Sequence, residues 1–109
     1  MKNDKIYINH ILDAIGKIKA YVGNGNFDDF GTDPKLQDAV IRNLEIIGEA
    51  SKRLSEDFKS KVNLPWNDIG GMRNKIVHDY FEIHLGIVWK TATSDIVEVE
   101  QALLPYRES

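Results

Sequence analysis

Apolar residues at Tyr7, Ile8, Ile11, Leu12, Ile15, Ile18 and Val22 recur at steps of three and four, the spacing that lines one face of an α-helix. The spacing returns at Leu36, Val40, Ile41, Leu44, Ile47, Ala50 and Leu54, and again from Ile83 through Leu104, with Ile87, Val88, Thr91, Ile96, Val99 and Leu103 on the stripe. A helix with one apolar face must bury that face against another element, and here the only candidates are further helices. No stretch alternates as a strand would, and no internal repeat or low-complexity segment appears. The chain is therefore predicted to be all-α, an up-down bundle of four main helices with one or two short extra turns. With 109 residues it holds a single domain, 1–109.

Punctuation residues set the boundaries. The first helix should stop at Gly23, and "GNGNFDDFGTDPKL" reads as a loop in which Asp33 and Pro34 are the N-cap and first residue of the next helix. Phe27 and Phe30 are expected to tuck onto the core. The "GNGN" run resembles a phosphate loop only superficially, since it follows a helix and no Lys-Ser/Thr comes after it. A short turn of helix is predicted at "SEDFKSKV", a helix start at Pro65, and an interruption at Gly70-Gly71. Gly48 and Gly86, inside helices, suggest close approach of another backbone or a ligand. Trp66 and Trp89 suit core or dimer-interface anchors. Arg42, Glu45 and Glu49 are spaced for ion pairs along one helix, or their helix lines a cleft in which Arg42 or Glu49 orients other side chains.

Composition narrows the function classes. Without cysteine there is neither a disulfide framework nor a thiolate zinc site. His10 and His84 have no carboxylate or histidine at ligand spacing, so no metal site is expected. A net charge of −3 argues against coating nucleic acid by charge alone, although a local basic patch is compatible with it. No window approaches the roughly 18 apolar residues of a membrane span. The start, Met1-Lys2-Asn3-Asp4-Lys5, lacks the apolar run of a signal peptide, so the expected location is cytoplasmic.

Chemistry concentrates in "MRNKIVHDYF", which crowds Arg73, His78 and Tyr80 into eight positions. A helix turns about 100° per residue, so five positions put Arg73 and His78 roughly 140° apart, not on one face. Either the helix ends or distorts near Val77-His78, or a second copy completes the site; a two-fold dimer would bring two arginines and two histidines to one cleft. The pair suits phosphodiester chemistry. Histidine titrates near neutral pH and exchanges protons with a 2′-hydroxyl or leaving oxygen. Arginine, planar and permanently charged, pairs with phosphate oxygens as negative charge builds up. No metal is required, and Asn74 and Lys75 could add an amide and a phosphate contact.

The run Arg73-Asn74-Lys75-Ile76-Val77-His78-Asp79-Tyr80 resembles the signature of the HEPN domains, specifically the HepT-like branch: Arg, a polar residue directly after it, His, and Tyr two residues later. The stretches "RNLEIIGEASKRLS" and "PWNDIGGMRNKIVHDYF" are similar to the HepT pattern, and the resemblance extends over nearly the whole chain. It implies a four-to-five-helix fold, a homodimer with Arg73 and His78 at a composite cleft, and metal-independent RNase activity with tRNA among the substrates. It also implies a toxin role beside an MNT-type minimal nucleotidyltransferase antitoxin that transfers AMP from ATP to the motif tyrosine, here Tyr80. Two other readings are open on sequence: a non-catalytic subunit presenting a nucleotide or substrate to that transferase, and a plain helical oligomerisation module.

Overall fold

The computed structural model describes residues 2–76 and 83–107. Helix α1, Lys2–Val22, buries Ile8, Ile11, Leu12, Ile15 and Ile18, the stripe read from its spacing. It ends where Gly23 takes a φ of 51°, a left-handed conformation that glycine adopts without strain, and the Gly23 N–H donates to the Lys19 carbonyl. The next helix of the bundle, Pro34–Lys52, is capped as expected: the Asp33 carboxylate accepts from the Leu36 N–H at 3.1 Å, and Pro34 occupies the first turn.

Between them, the segment expected to be a loop contains a five-residue helix, Phe27–Gly31. The Asn26 side chain caps it by accepting from the Asp29 N–H at 2.9 Å. This helix is α2, so Pro34–Lys52 is α3. One turn is too short to show a period, and the capping side chain rather than any apolar stripe holds it. Phe30 is fully buried against the Trp89 ring, at 5.3 Å between centroids. Phe27 remains partly exposed, edge-on to the same ring.

Helix α4, Glu56–Lys61, occupies the predicted extra turn, with Ser55 as its cap. The third limb of the bundle is divided into α5, Trp66–Gly70, and α6, Met72–Ile76, with Gly71 at the break. The fourth runs as one rod: α7, Leu85–Lys90, a π-helical turn over Thr91–Asp95, and α8, Ile96–Leu103, before Pro105 closes a 3₁₀ turn. The π turn leaves a carbonyl for a side chain, and Thr93 Oγ1 donates to the Trp89 carbonyl at 2.7 Å.

Contacts fix the directions. Asp4 at the start of α1 meets Ser55 just past the end of α3, so α1 and α3 are antiparallel. Ile69 and Arg73 lie against Gly48 and Glu45, so α5–α6 runs back along α3. Lys19 meets Glu100 and Asp13 meets Arg107, so α8 descends along α1. The arrangement is the predicted all-α, up-down bundle, and the apolar side chains of all four limbs form one continuous core.

Gly48 is a site of close approach, since a Cβ there would stand 3.2 Å from the Ile69 carbonyl oxygen. Gly86 is different: a Cβ would meet open space, so no neighbouring backbone presses on it. Trp66 and Trp89 both pack against the core. Among the described residues, every buried side-chain N or O atom has a partner. Most constrained is Asp4, only 5% exposed, whose carboxylate accepts from the Ser55 N–H and the Ser55 hydroxyl, both at 2.7 Å. Replacing Asp4 by alanine strands that N–H and loosens the α4 cap, so a loss of about 1–3 kcal/mol is expected. Thermal unfolding followed by circular dichroism checks this; the double variant Asp4→Ala/Ser55→Ala should lose less than the sum of the two single losses.

Candidate active site

In α6, Met72 and Ile76 stand one turn apart and are buried, which turns Arg73, Asn74 and Lys75 outward. Arg73 is held at its base. Its Nε lies 3.4 Å from Glu45 Oε2 on α3, while the side chain as a whole is 70% exposed and that of Glu45 34%. The guanidinium is therefore steered from Glu45 while most of the side chain stays open to solvent. In that geometry the outer edge can take two phosphate oxygens.

Beside Arg73 opens a cleft of about 500 Å³ between α3 and the α5–α6 limb. Asn74 lines it with Arg73; Lys52, Lys59, Trp66 and Asn67 line the remainder. Its shape follows from glycine. Gly48 lets the carbonyl end of α5 settle onto α3, Gly70 leaves room for the stem of Lys52, and Gly71 separates α5 from α6. Each cation here has a carboxylate partner: Arg73 with Glu45, Lys52 with Glu49 at 3.4 Å, and Lys59 with Glu56 at 2.9 Å.

The other sequence-predicted positions are placed as follows. Lys75 turns to the opposite flank of α6, 3.5 Å from Asp68, and lines a second cleft of about 390 Å³ against the α7–α8 rod. Within one chain, Arg73 and Asn74 share a cleft that Lys75 does not enter. His78 and Tyr80 lie outside the described residues; beyond them the His84 N–H donates to the Ile76 carbonyl at 2.9 Å. Of the residues proposed to orient the site from α3, Glu49 lines the Arg73 cleft and Arg42 lines the neighbouring groove with Tyr7 and His10. Glu45 is the residue that touches Arg73, a role its sequence spacing suggested only for pairs along its own helix. Among the described residues, no group of three or more His, Asp or Glu side chains is placed to hold a metal ion, and no helix is long and apolar enough to cross a membrane.

Comparison with known proteins identifies the family. The family described as HepT-like, ribonuclease HepT-like, matches residues 11–105. A candidate RNase of Caldanaerobacter subterraneus is 41% identical over 102 residues, covering 93% of this chain and 91% of that one. A candidate ribonuclease HepT of Thermococcus cleftensis is 43% identical over 96 residues, 87% of each chain. A Methanocaldococcus jannaschii protein named as a gamma-glutamylcyclotransferase and candidate RNase is 43% identical over 108 residues. The match covers 98% of this chain but only 49% of that protein, so this chain spans about half the length of that relative. No solved structure matches. A helical bundle that presents an arginine from the Arg-Asn…His-Asp-Tyr run at the mouth of a cleft, with relatives that align over nearly all its length, belongs to the ribonuclease HepT-like family.

Proposed function

We propose that this chain is a metal-independent endoribonuclease, the toxin of a HEPN/MNT toxin–antitoxin pair, acting on tRNA as a homodimer in the cytoplasm. The observation that carries the reading is Arg73: a largely exposed guanidinium, paired through Nε with Glu45 and lining a cleft, is built to meet a phosphate from outside. His78 takes the proton of the ribose 2′-hydroxyl as its oxygen attacks the neighbouring phosphorus. The bond to the 5′-oxygen breaks, and the products are a 2′,3′-cyclic phosphate and a 5′-hydroxyl that receives a proton. Arg73 neutralises the charge gathered on the phosphorane oxygens. Asn74, in the same cleft, adds an amide contact, while Lys75 on the other flank serves RNA running past α6. A second copy brings a second histidine to protonate the leaving oxygen, and the openness of Arg73 leaves room for that copy.

Control falls on Tyr80. In the proposed reaction its phenolic oxygen attacks the α-phosphorus of ATP in the active site of an MNT-type nucleotidyltransferase, pyrophosphate leaves, and the phenol proton passes to the transferase. The added AMP places bulk and negative charge beside the surface that RNA must occupy. Family membership and the spacing of Tyr80 from His78 support this.

Purified protein, confirmed by mass to carry no nucleotide, should cut tRNA in the presence of chelator and leave cyclic-phosphate ends. Arg73→Ala and His78→Ala should each cost at least about a hundredfold in rate. Intact tRNA with unmodified wild type, together with retained nucleotide binding, would support the non-catalytic subunit instead. Glu45→Gln should lower kcat about two- to fivefold, the worth of a partly exposed ion pair that orients Arg73, with KM unchanged or lower because a negative charge is removed. A purely structural role would shift the melting temperature and leave that kcat-against-KM split absent.

A further inference from the structure

The cleft beside Arg73 extends well past the guanidinium, and its far part has a composition of its own. Three cations line the cleft, Arg73, Lys52 and Lys59, each in an ion pair with a glutamate that reaches solvent, so they stand ready in a chain of net −3 without a bare positive patch. Trp66 forms one wall. Its indole N–H is already committed, donating to the Lys59 and Val62 carbonyls at 3.1 and 3.0 Å, so what it offers the cleft is ring surface. Asn67 follows it in the same wall, an exposed amide that both donates and accepts. The floor is backbone: Gly70 and Gly71 bring no side chains, and a Cβ at Gly70 would crowd the Lys52 stem at 3.2 Å.

We propose that this cleft is the seat of the nucleotide adjoining the scissile phosphate, and that it selects unpaired RNA. The inference rests on the ribonuclease reading for its choice of ligand. A ring wall, an amide and flanking cations are the parts that hold one splayed nucleotide: the base lies against Trp66, its edge meets Asn67, and its phosphate exchanges with the carboxylate partner of Lys52. A volume of about 500 Å³ suits one such unit. A base held in a duplex cannot enter, because its edge is paired and its faces are stacked. The ion pairs that line the cleft when empty are exposed and weak, so phosphate displaces Glu49 from Lys52 at little cost.

The test uses a fluorescent ten-nucleotide single-stranded RNA and its duplex, titrated by anisotropy against the His78→Ala chain, alone and with Lys52→Ala, Asn67→Ala or Lys35→Ala added. Lys35, near the start of α3, is an equal-charge control about 25 Å along the helix from Lys52. Single strand should bind at least tenfold tighter than duplex. Lys52→Ala and Asn67→Ala should each weaken it about five- to tenfold, and Lys35→Ala should not. Lys52→Ala should also reduce the salt slope by about one. Melting temperatures within error of the parent confirm that each variant folds. Parental affinity in both cleft variants, or equal binding of duplex, overturns the seat. Cleavage assays with wild type separate this from failure of the ribonuclease reading. An enzyme that cuts RNA and whose KM ignores Lys52→Ala and Asn67→Ala refutes the seat alone. A protein that neither cuts nor binds RNA refutes both.

Discussion

The contact on which the site depends is the meeting of α3 and α5 at Gly48, where the Ile69 carbonyl comes within side-chain distance of a helix that has no side chain there. Interiors pack to near-crystalline density, so one missing methyl sets the height at which α5 rides on α3. Gly71 and α6, with Arg73 on it, follow directly from that contact, so the height also bears on how Arg73 stands over α3. The long helices α1 and α3 supply stability through the core, but the functional geometry hangs on a five-residue helix whose position is inherited from its neighbour. Short helices have almost no stability of their own.

Electrostatics around the cleft has a consistent pattern. Glutamates from α3 and α4 partner every cation on the cleft wall, and all of these pairs reach solvent. Such pairs contribute little to stability, yet they keep long basic side chains in place, Arg73 and Lys52 largely exposed and Lys59 with its stem covered. An acidic chain can in this way keep its cations local and sorted, while its net charge of −3 discourages loose coating of nucleic acid.

Much of this was legible from residue order, and the parts that were not share a cause. The stripes of α1 and α3, the Asp33-Pro34 start, the stop at Gly23 and the extra turn after Ser55 are all local signals, written within a few residues of where they act. The helical turn at Phe27–Gly31 was hidden because five residues show no period and Asn26 is as common in loops as at caps. The π turn was hidden because Ala92, also buried, carries four-residue steps from Val88 to Ile96, so the five-residue step from Thr91 to Ile96 does not stand out. In the site, Arg73 and Asn74 were evident as candidates, whereas the pairing of Arg73 with Glu45 joins positions 28 apart. Helical periodicity places Glu45 off the core face but cannot say which segment stands opposite. For Trp66 the sequence suggested an anchor, and the structure adds that its N–H is spent on α4, which is what leaves its ring to the cleft.

The Asp4–Ser55 junction has a bearing on motion. The first turn of a helix ordinarily frays, opening and closing with little resistance from the rest of the fold. Here the first turn of α1 cannot open without giving up the two hydrogen bonds from Ser55, whose hydroxyl also caps α4, the helix that leads into the loop before Trp66. The first turn of α1 is thereby tied to α4, whose Lys59 lines the cleft. Amide exchange at the α4 N-terminus should therefore report on α1, and an alteration far from Arg73 in sequence can be felt as a change in how long the cleft keeps its shape.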